Sequence, residues 1–237
     1  MGKIKSALYP HLQRMRYKNL ISAFEKGKKC KMIENQILML CTSKGKLGGN
    51  LNAVKNYIEK NALDYHIVTV TSKEQMSVDE LGTAMAQSKY IMVDDFEPMV
   101  YVLTLRDGQH LVQLWHAMGA FKRFGYCRGT AESGSLTHKN YTEAIVSSPE
   151  LCQIYAESFG ISVDKIGVVE LLLDEDVRQS EQKCQVGARA KPDPPRGLGS
   201  RGGAARVDRH HLAPAGERLL EDVHRVGVAG VERRSSQ

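Results

Sequence analysis

The chain has 237 residues, 42% hydrophobic and 25% charged, an ordinary globular composition and enough for one large domain or two small ones. The formal net charge of +6 is uneven: residues 1–32 carry nine Lys/Arg against one acid, 33–183 carry 14 against 20, and 184–237 carry ten against six. Five scattered cysteines with no CxxC pair argue against a zinc site or disulfide framework, no apolar run approaches the roughly 18–20 residues of a membrane span, and the N-terminus lacks the apolar region of a secretory signal.

Those exclusions leave a cytoplasmic protein with a mildly acidic body and basic ends. Ile4, Leu8, Leu12 and Met15 share one helical face, followed by Leu20, Ile21 and Phe24. Pro10 limits the first part, so the spacing predicts a regular helix from about His11 to Phe24. Arg14, Arg16, Lys18, Lys26, Lys28, Lys29 and Lys31 surround it. Residues 1–32 therefore read either as a basic amphipathic segment on an anionic membrane surface or as a helix packed on the body with a charged, solvated side.

Asn35–Thr42 reads as the first strand, followed by a glycine-bearing loop and a helix over about 51–60. Strand, glycine loop and helix suit a phosphate-cradling turn, but neither GxGxxG nor GxxxxGK[ST] is present, and a simple βα connection is preferred. His66–Val70 is a second strand. Ser77 with Glu80 three residues on has the form of a capping box, opening a helix to about Gln87. Lys89–Val93 is a third strand ending in Asp94 and Asp95. One acidic pair offers too few ligands for a divalent ion, so capping of the next turn is preferred. Residues 97–106 read as a short helix and Asp107-Gly108 as a turn.

The central stretch is His110–Tyr126, HLVQLWHAMGAFKRFGY. It opens as a fourth strand through Trp115, breaks at the small-residue turn His116-Ala117-Met118-Gly119-Ala120, and ends on Lys122 and Arg123. Open α/β sheets place ligands at such a strand end. His116 is a candidate general base, and Lys122 and Arg123 are candidate phosphate ligands. The bland alternative is a satisfied core histidine beside a solvated basic face. The polar stretch from Tyr126 to Asn140 reads as a loop beside this site, with His138 in it able to approach a ligand or, in the blander reading, simply exposed. Ala144–Ser147 is a fifth strand, and Pro149 opens a helix over about 150–159. Five strand–helix alternations predict a parallel sheet with helices on both faces, one Rossmann-like domain over residues 33–166.

The Trp115-His116 pair followed by Gly119-Ala120-Phe121-Lys122-Arg123-Phe124-Gly125 resembles the Trp-His motif of the CDP-glycerol/CDP-ribitol polyol-phosphotransferases of teichoic-acid biosynthesis, with Ala117 where the commonest form has Gly. The similarity runs from about Lys46 to Ile166. It includes Asn50–Ile58, Ala86–Asp95 and Tyr141–Ser148, in the family's order. The resemblance implies the N-terminal, acceptor-side half of a GT-B-type architecture. The implied reaction is attack of an acceptor hydroxyl on the β-phosphate of a CDP-polyol, releasing CMP. It implies His116 as general base, with Lys122, Arg123 and Gly119 at the phosphate, and neither metal nor cofactor. The implied partners are a CDP-polyol donor and a lipid-linked polyol-phosphate acceptor. The basic residues 1–32 would then lie on the anionic inner face of the cell membrane. No nucleic acid is expected.

Past Ile166 the resemblance stops. The family's Pro-Arg turn is absent from Gly167–Glu175, and no later donor-site motif follows, including the family's second catalytic His. Residues 184–237 contain no aromatic, Ile or Met, yet hold nine of 15 arginines and one of 18 lysines. Such a segment cannot readily offset its ordering entropy. The expectation is an aberrant tail over 167–237, from a shifted reading frame, on a truncated enzyme of little activity. The rival class is a non-catalytic binding module for RNA or another anionic polymer, which the basic ends permit and no RNA-binding motif supports.

Overall fold

The computed structural model describes residues 2–42, 45–47, 49–116, 123–128 and 136–168. Six strands form one sheet: β1 Ile33–Leu40, β2 His66–Val70, β3 Ser88–Val93, β4 His110–Gln113, β5 Glu143–Val146 and β6 Ile166–Val168. Their spatial order is β2-β1-β3-β4-β5-β6, and every neighbouring pair is parallel. Among the described residues five α-helices accompany them: α1 Gly2–Arg16, α2 Lys18–Gly27, α3 Gly49–Lys60, α4 Val78–Gln87 and α5 Cys152–Phe159. The sheet is the Rossmann-like parallel architecture expected from the alternating pattern. β6 adds a sixth strand past the five anticipated.

Apolar runs make both sheet faces buried, as parallel strands require. On β1, Leu38 and Leu40 point to one cluster and Ile37 and Met39 to the other. On β3, Ile91 and Val93 oppose Tyr90 and Met92 in the same way. The first face is covered by α2, α4 and α5 through Phe24, Met85 and Phe159, and the second by α3 through Leu51, Val54 and Ile58. Among the described residues no helix is long and apolar enough to cross a membrane.

Three local expectations are corrected. The N-terminal helix begins at Gly2 and runs through Pro10, which forfeits one intrahelical bond without ending it. The break falls at Tyr17 (φ −105°, ψ 17°), and α2 then packs Leu20, Ala23 and Phe24 into the main core. Residues 97–106 form no helix: residues 98–102 are turn and the remainder is irregular. Met99 to Leu103 are all buried, so there is no solvated face for an amphipathic helix, and Asn140 Nδ2 takes up the carbonyls of Val100 and Leu103 at 2.9 and 2.7 Å. His138 is 4% exposed, not a surface loop residue, because its ring fills a cage of Phe96, Tyr101, Tyr126, Tyr141 and Phe159.

The capping box at Ser77–Glu80 is present in both directions. The helix opened by Pro149 starts as a 3-10 turn over Pro149–Leu151 before α5, and ends at Gly160 in the left-handed conformation.

Candidate active site

In this strand order the chain reverses direction between β1 and β3, and ligands of open α/β sheets lie outside the carboxyl ends at such a switch point. Here those ends carry Thr42, Asp94, Asp95 and Glu97, with Trp115 and His116 at the end of the adjacent β4. Asp94 and Glu97 are both buried. The Asp94 carboxylate stands at the amino end of α3, where a Cβ on Gly49 (φ +58°) would come within 3.3 Å of its Oδ2. An acid of the chain itself thus occupies the positive end of the α3 dipole, which disfavours the phosphate cradle that the glycine loop suggested. Glu97 accepts from Thr42 N at 2.7 Å and from Thr42 Oγ1 at 2.8 Å. Burial raises its pKa above the usual carboxylate range, against the lowering effect of the Thr42 bonds.

β4 ends in a turn that a chain of L-residues adopts reluctantly. Trp115 has φ +56°, a left-handed conformation that costs about 1–2 kcal/mol for a bulky side chain. Several contacts hold it there. Trp115 N donates to Gln113 Oε1 at 2.8 Å. Asn50 Nδ2, from the first turn of α3, donates to the carbonyls of Leu114 at 3.0 Å and Trp115 at 2.9 Å. The indole stacks on Phe124 with centroids 4.9 Å apart, and on His116 at 4.5 Å. Gln113 is fully buried. Its Nε2 donates to Asp95 O at 3.2 Å and to Tyr141 Oη at 2.7 Å.

His116 emerges from this turn exposed to solvent. Its Nδ1 lies 2.9 Å from Asp94 O and 3.8 Å from Asp95 Oδ1. A backbone carbonyl can only accept, so Nδ1 carries the hydrogen and the neutral ring presents the lone pair of Nε2. That is the tautomer able to take a proton from a hydroxyl.

Of the residues singled out in the sequence, His116 stands at the carboxyl edge as expected. Arg123 is exposed and directly precedes Phe124, whose ring lies against Trp115. Lys122 and Gly119 lie outside the described residues. Gly125, at the end of the same run, has φ +54°, and a Cβ there would sit 1.9 Å from Ser158 O, so only glycine fits. Asp95 accepts from Phe96 N at 2.7 Å and caps its turn as anticipated.

Asn50, Gln113 and Glu97 were not singled out. Gln113 left a signal, a polar residue inside an apolar strand that must find partners once buried. Nothing local marks Asn50, whose partners lie 64 and 65 residues away.

The chain has recognisable relatives. The family model described as CDP-Glycerol:Poly(glycerophosphate) glycerophosphotransferase matches residues 24–169. A teichoic acid poly(ribitol-phosphate) polymerase of Bacillus spizizenii is 37% identical over 142 residues, which cover 56% of this chain and 23% of that protein. The teichoic acid ribitol-phosphate polymerase TarK of Staphylococcus aureus is 35% identical over 156 residues, 59% of this chain and 30% of that protein. The chain thus spans less than a third of these relatives' length. Among solved structures, the wall teichoic acid polymerase TagF shares the fold with a TM-score of 0.52 at 12% identity, over 81% of this chain and 54% of that one. With the family model covering more than half of its residues, the chain belongs to the CDP-glycerol:poly(glycerophosphate) glycerophosphotransferase family.

Proposed function

We propose that residues 24–169 form the acceptor-side domain of a polyol-phosphotransferase. His116 Nε2 takes the proton of an acceptor hydroxyl. The oxygen attacks the β-phosphorus of CDP-ribitol or CDP-glycerol, and the bond to CMP breaks. The observation that carries this reading is the Nδ1–H held by Asp94 O, which leaves Nε2 free at the carboxyl edge of the sheet. Arg123 and Lys122 neutralise phosphate charge and Gly119 lets the backbone approach the phosphate, and the reaction needs positioning and charge stabilisation above all. The donor is held by a second domain, which residues 24–169 do not include. CMP release from CDP-glycerol and CDP-ribitol with a lipid-linked acceptor tests this division of labour. This chain and its His116→Ala variant are both expected to give no turnover while retaining a folded circular-dichroism spectrum. Turnover that vanishes in the variant would mean that one domain suffices.

The same reading places the enzyme peripherally on the inner face of the cell membrane, beside a lipid-linked acceptor. In support, α1 exposes Leu8, Leu12 and Met15 at 52%, 60% and 53% on one helical stripe, with Arg14, Arg16 and Lys18 nearby. Each cation near an anionic surface contributes roughly 1 kcal/mol. Flotation with phosphatidylglycerol-containing vesicles is expected to recover the protein, and recovery is expected to fall when Leu8, Leu12 and Met15 are all replaced by Ser. Equal recovery of the two proteins would remove α1 from the membrane.

A further inference from the structure

Two peptide planes meet at Trp115 Cα, and together they define its φ and ψ. The plane before it is held at both ends, by Asn50 Nδ2 on Leu114 O at 3.0 Å and by Gln113 Oε1 on Trp115 N at 2.8 Å. The plane after it is held by the same Asn50 amide, on Trp115 O at 2.9 Å. An amide nitrogen has two hydrogens, and Asn50 directs them at consecutive carbonyls. Among the described residues, it is thus the side chain that bonds to both planes. It is itself 8% exposed and fixed on α3, whose Leu51, Val54 and Ile58 are buried in the second core cluster.

We infer that Asn50 is a positioning residue for His116: by clamping both peptide planes of the Trp115 turn in a left-handed conformation, it aims the His116 ring at Asp94 O and so selects the Nδ1–H tautomer. The chain of cause is short. A bulky residue at φ +56° relaxes toward negative φ when its restraints are removed. Without the Asn50 amide, the Leu114 and Trp115 carbonyls lose their partner and must turn to find another. His116 follows Trp115 directly in sequence, so its Cα moves with the second plane, and the bond of Nδ1 to Asp94 O is lost. A free neutral imidazole favours the Nε2–H form, which offers no lone pair where the proposed base needs one. The inference rests on His116 acting as that base for its catalytic meaning, but not for its structural content.

The test reads the tautomer directly. The full chain is labelled with ¹⁵N-histidine, and the ring nitrogens are observed at about pH 8. His116 is assigned from the signal missing in His116→Gln. The wild type is expected to show His116 as Nδ1–H. In Asn50→Ala, and in Asn50→Asp, which keeps the volume but has no amide donor, the ratio of Nδ1–H to Nε2–H is expected to fall about threefold to tenfold. Asn140→Ala serves as the control. It removes another two-carbonyl clamp, on Val100 and Leu103, and is expected to leave His116 as in the wild type. An Nε2–H form in the wild type overturns the inference without any variant, which covers the case in which the Asn50 variants do not fold. An unchanged ratio in the folded Asn50 variants, or an equal change in Asn140→Ala, also overturns it. If turnover in a complete enzyme proves indifferent to His116→Ala, the catalytic reading fails while the tautomer result stands.

Discussion

Single residues at the carboxyl edge carry costs that the surrounding structure must offset. Gly125 is the sharpest case. Its φ of +54° and the 1.9 Å approach of Ser158 O to a would-be Cβ leave a methyl group no room. Gly125→Ala is expected to destabilise the fold by about 3 kcal/mol, read as a lower urea midpoint at unchanged slope. The sole tryptophan, Trp115, is a convenient probe, since its fluorescence reports the site itself.

His138 makes a second residue-scale prediction. Burial lowers its pKa to about 4, from 6.5. The folded protein keeps the ring neutral while the unfolded chain takes up a proton below pH 6.5. The resulting stability is present above the unfolded value and lost as pH falls toward the folded one. Between about pH 7.5 and about pH 5 this amounts to roughly 2 kcal/mol. Glu97 opposes it with a raised pKa, contributing stability on the acid side that is lost as pH rises. His138→Phe, a ring of similar size in an aromatic cage, is expected to flatten the acid loss. A wild-type-like pH dependence in that variant would assign the loss to another group.

At the scale of elements, the N-terminal helices are joined to the body unequally. α2 crosses α4 at near-backbone contact. A Cβ on Gly82 would come within 2.5 Å of Ala23 Cβ and 2.8 Å of Phe24 N, and one on Gly27 within 2.8 Å of Ala86 Cβ. Two effects compete in Gly82→Ala. Helix propensity favours alanine by about 1 kcal/mol, and the clash with the backbone of α2 costs about 1–3 kcal/mol. The backbone cannot give way as a side-chain tip would, so net destabilisation is expected, measured as a lower thermal midpoint. A higher midpoint would mean that α2 shifts freely.

Much at this scale was legible in the sequence. The β2 strand and the box at Ser77–Glu80 are fixed by short-range rules, a short run rich in β-branched residues and reciprocal capping. The segment after β3 was not. Val100, Tyr101 and Leu103 are each within 2% of full burial, so they carry no face periodicity, and the Val100 and Leu103 carbonyls are taken up by Asn140, about 40 residues on. His138 was misread for the same reason. Its polar, glycine-bearing neighbours describe a surface loop, and only rings from the turn after β3, from Tyr126 and from α5 complete the cage that buries it. Likewise His116 could be found from its place at a strand end, whereas the Asn50 and Gln113 bonds that shape its turn depend on how β4 lies against α3 and β3.

For the whole molecule, the strand order explains why chemistry collects where it does. With β3 placed on the far side of β1 from β2, the switch point of the strand order falls at their carboxyl ends. α3 brings Asn50 to that edge, β3 brings the Asp94 carbonyl, and β4 delivers His116. The matched segment of the relatives is interchangeable on this account. The most direct measurement is therefore made on a chimera, with residues 24–169 replacing the matched segment of the Bacillus spizizenii poly(ribitol-phosphate) polymerase. CMP release from CDP-ribitol is followed with and without His116→Ala. The chimera carrying His116 is expected to turn over. Loss of a general base is expected to lower kcat by about 10²–10⁴-fold with little change in KM. A His116→Ala chimera that keeps the parent kcat would contradict the assignment of His116 as the base.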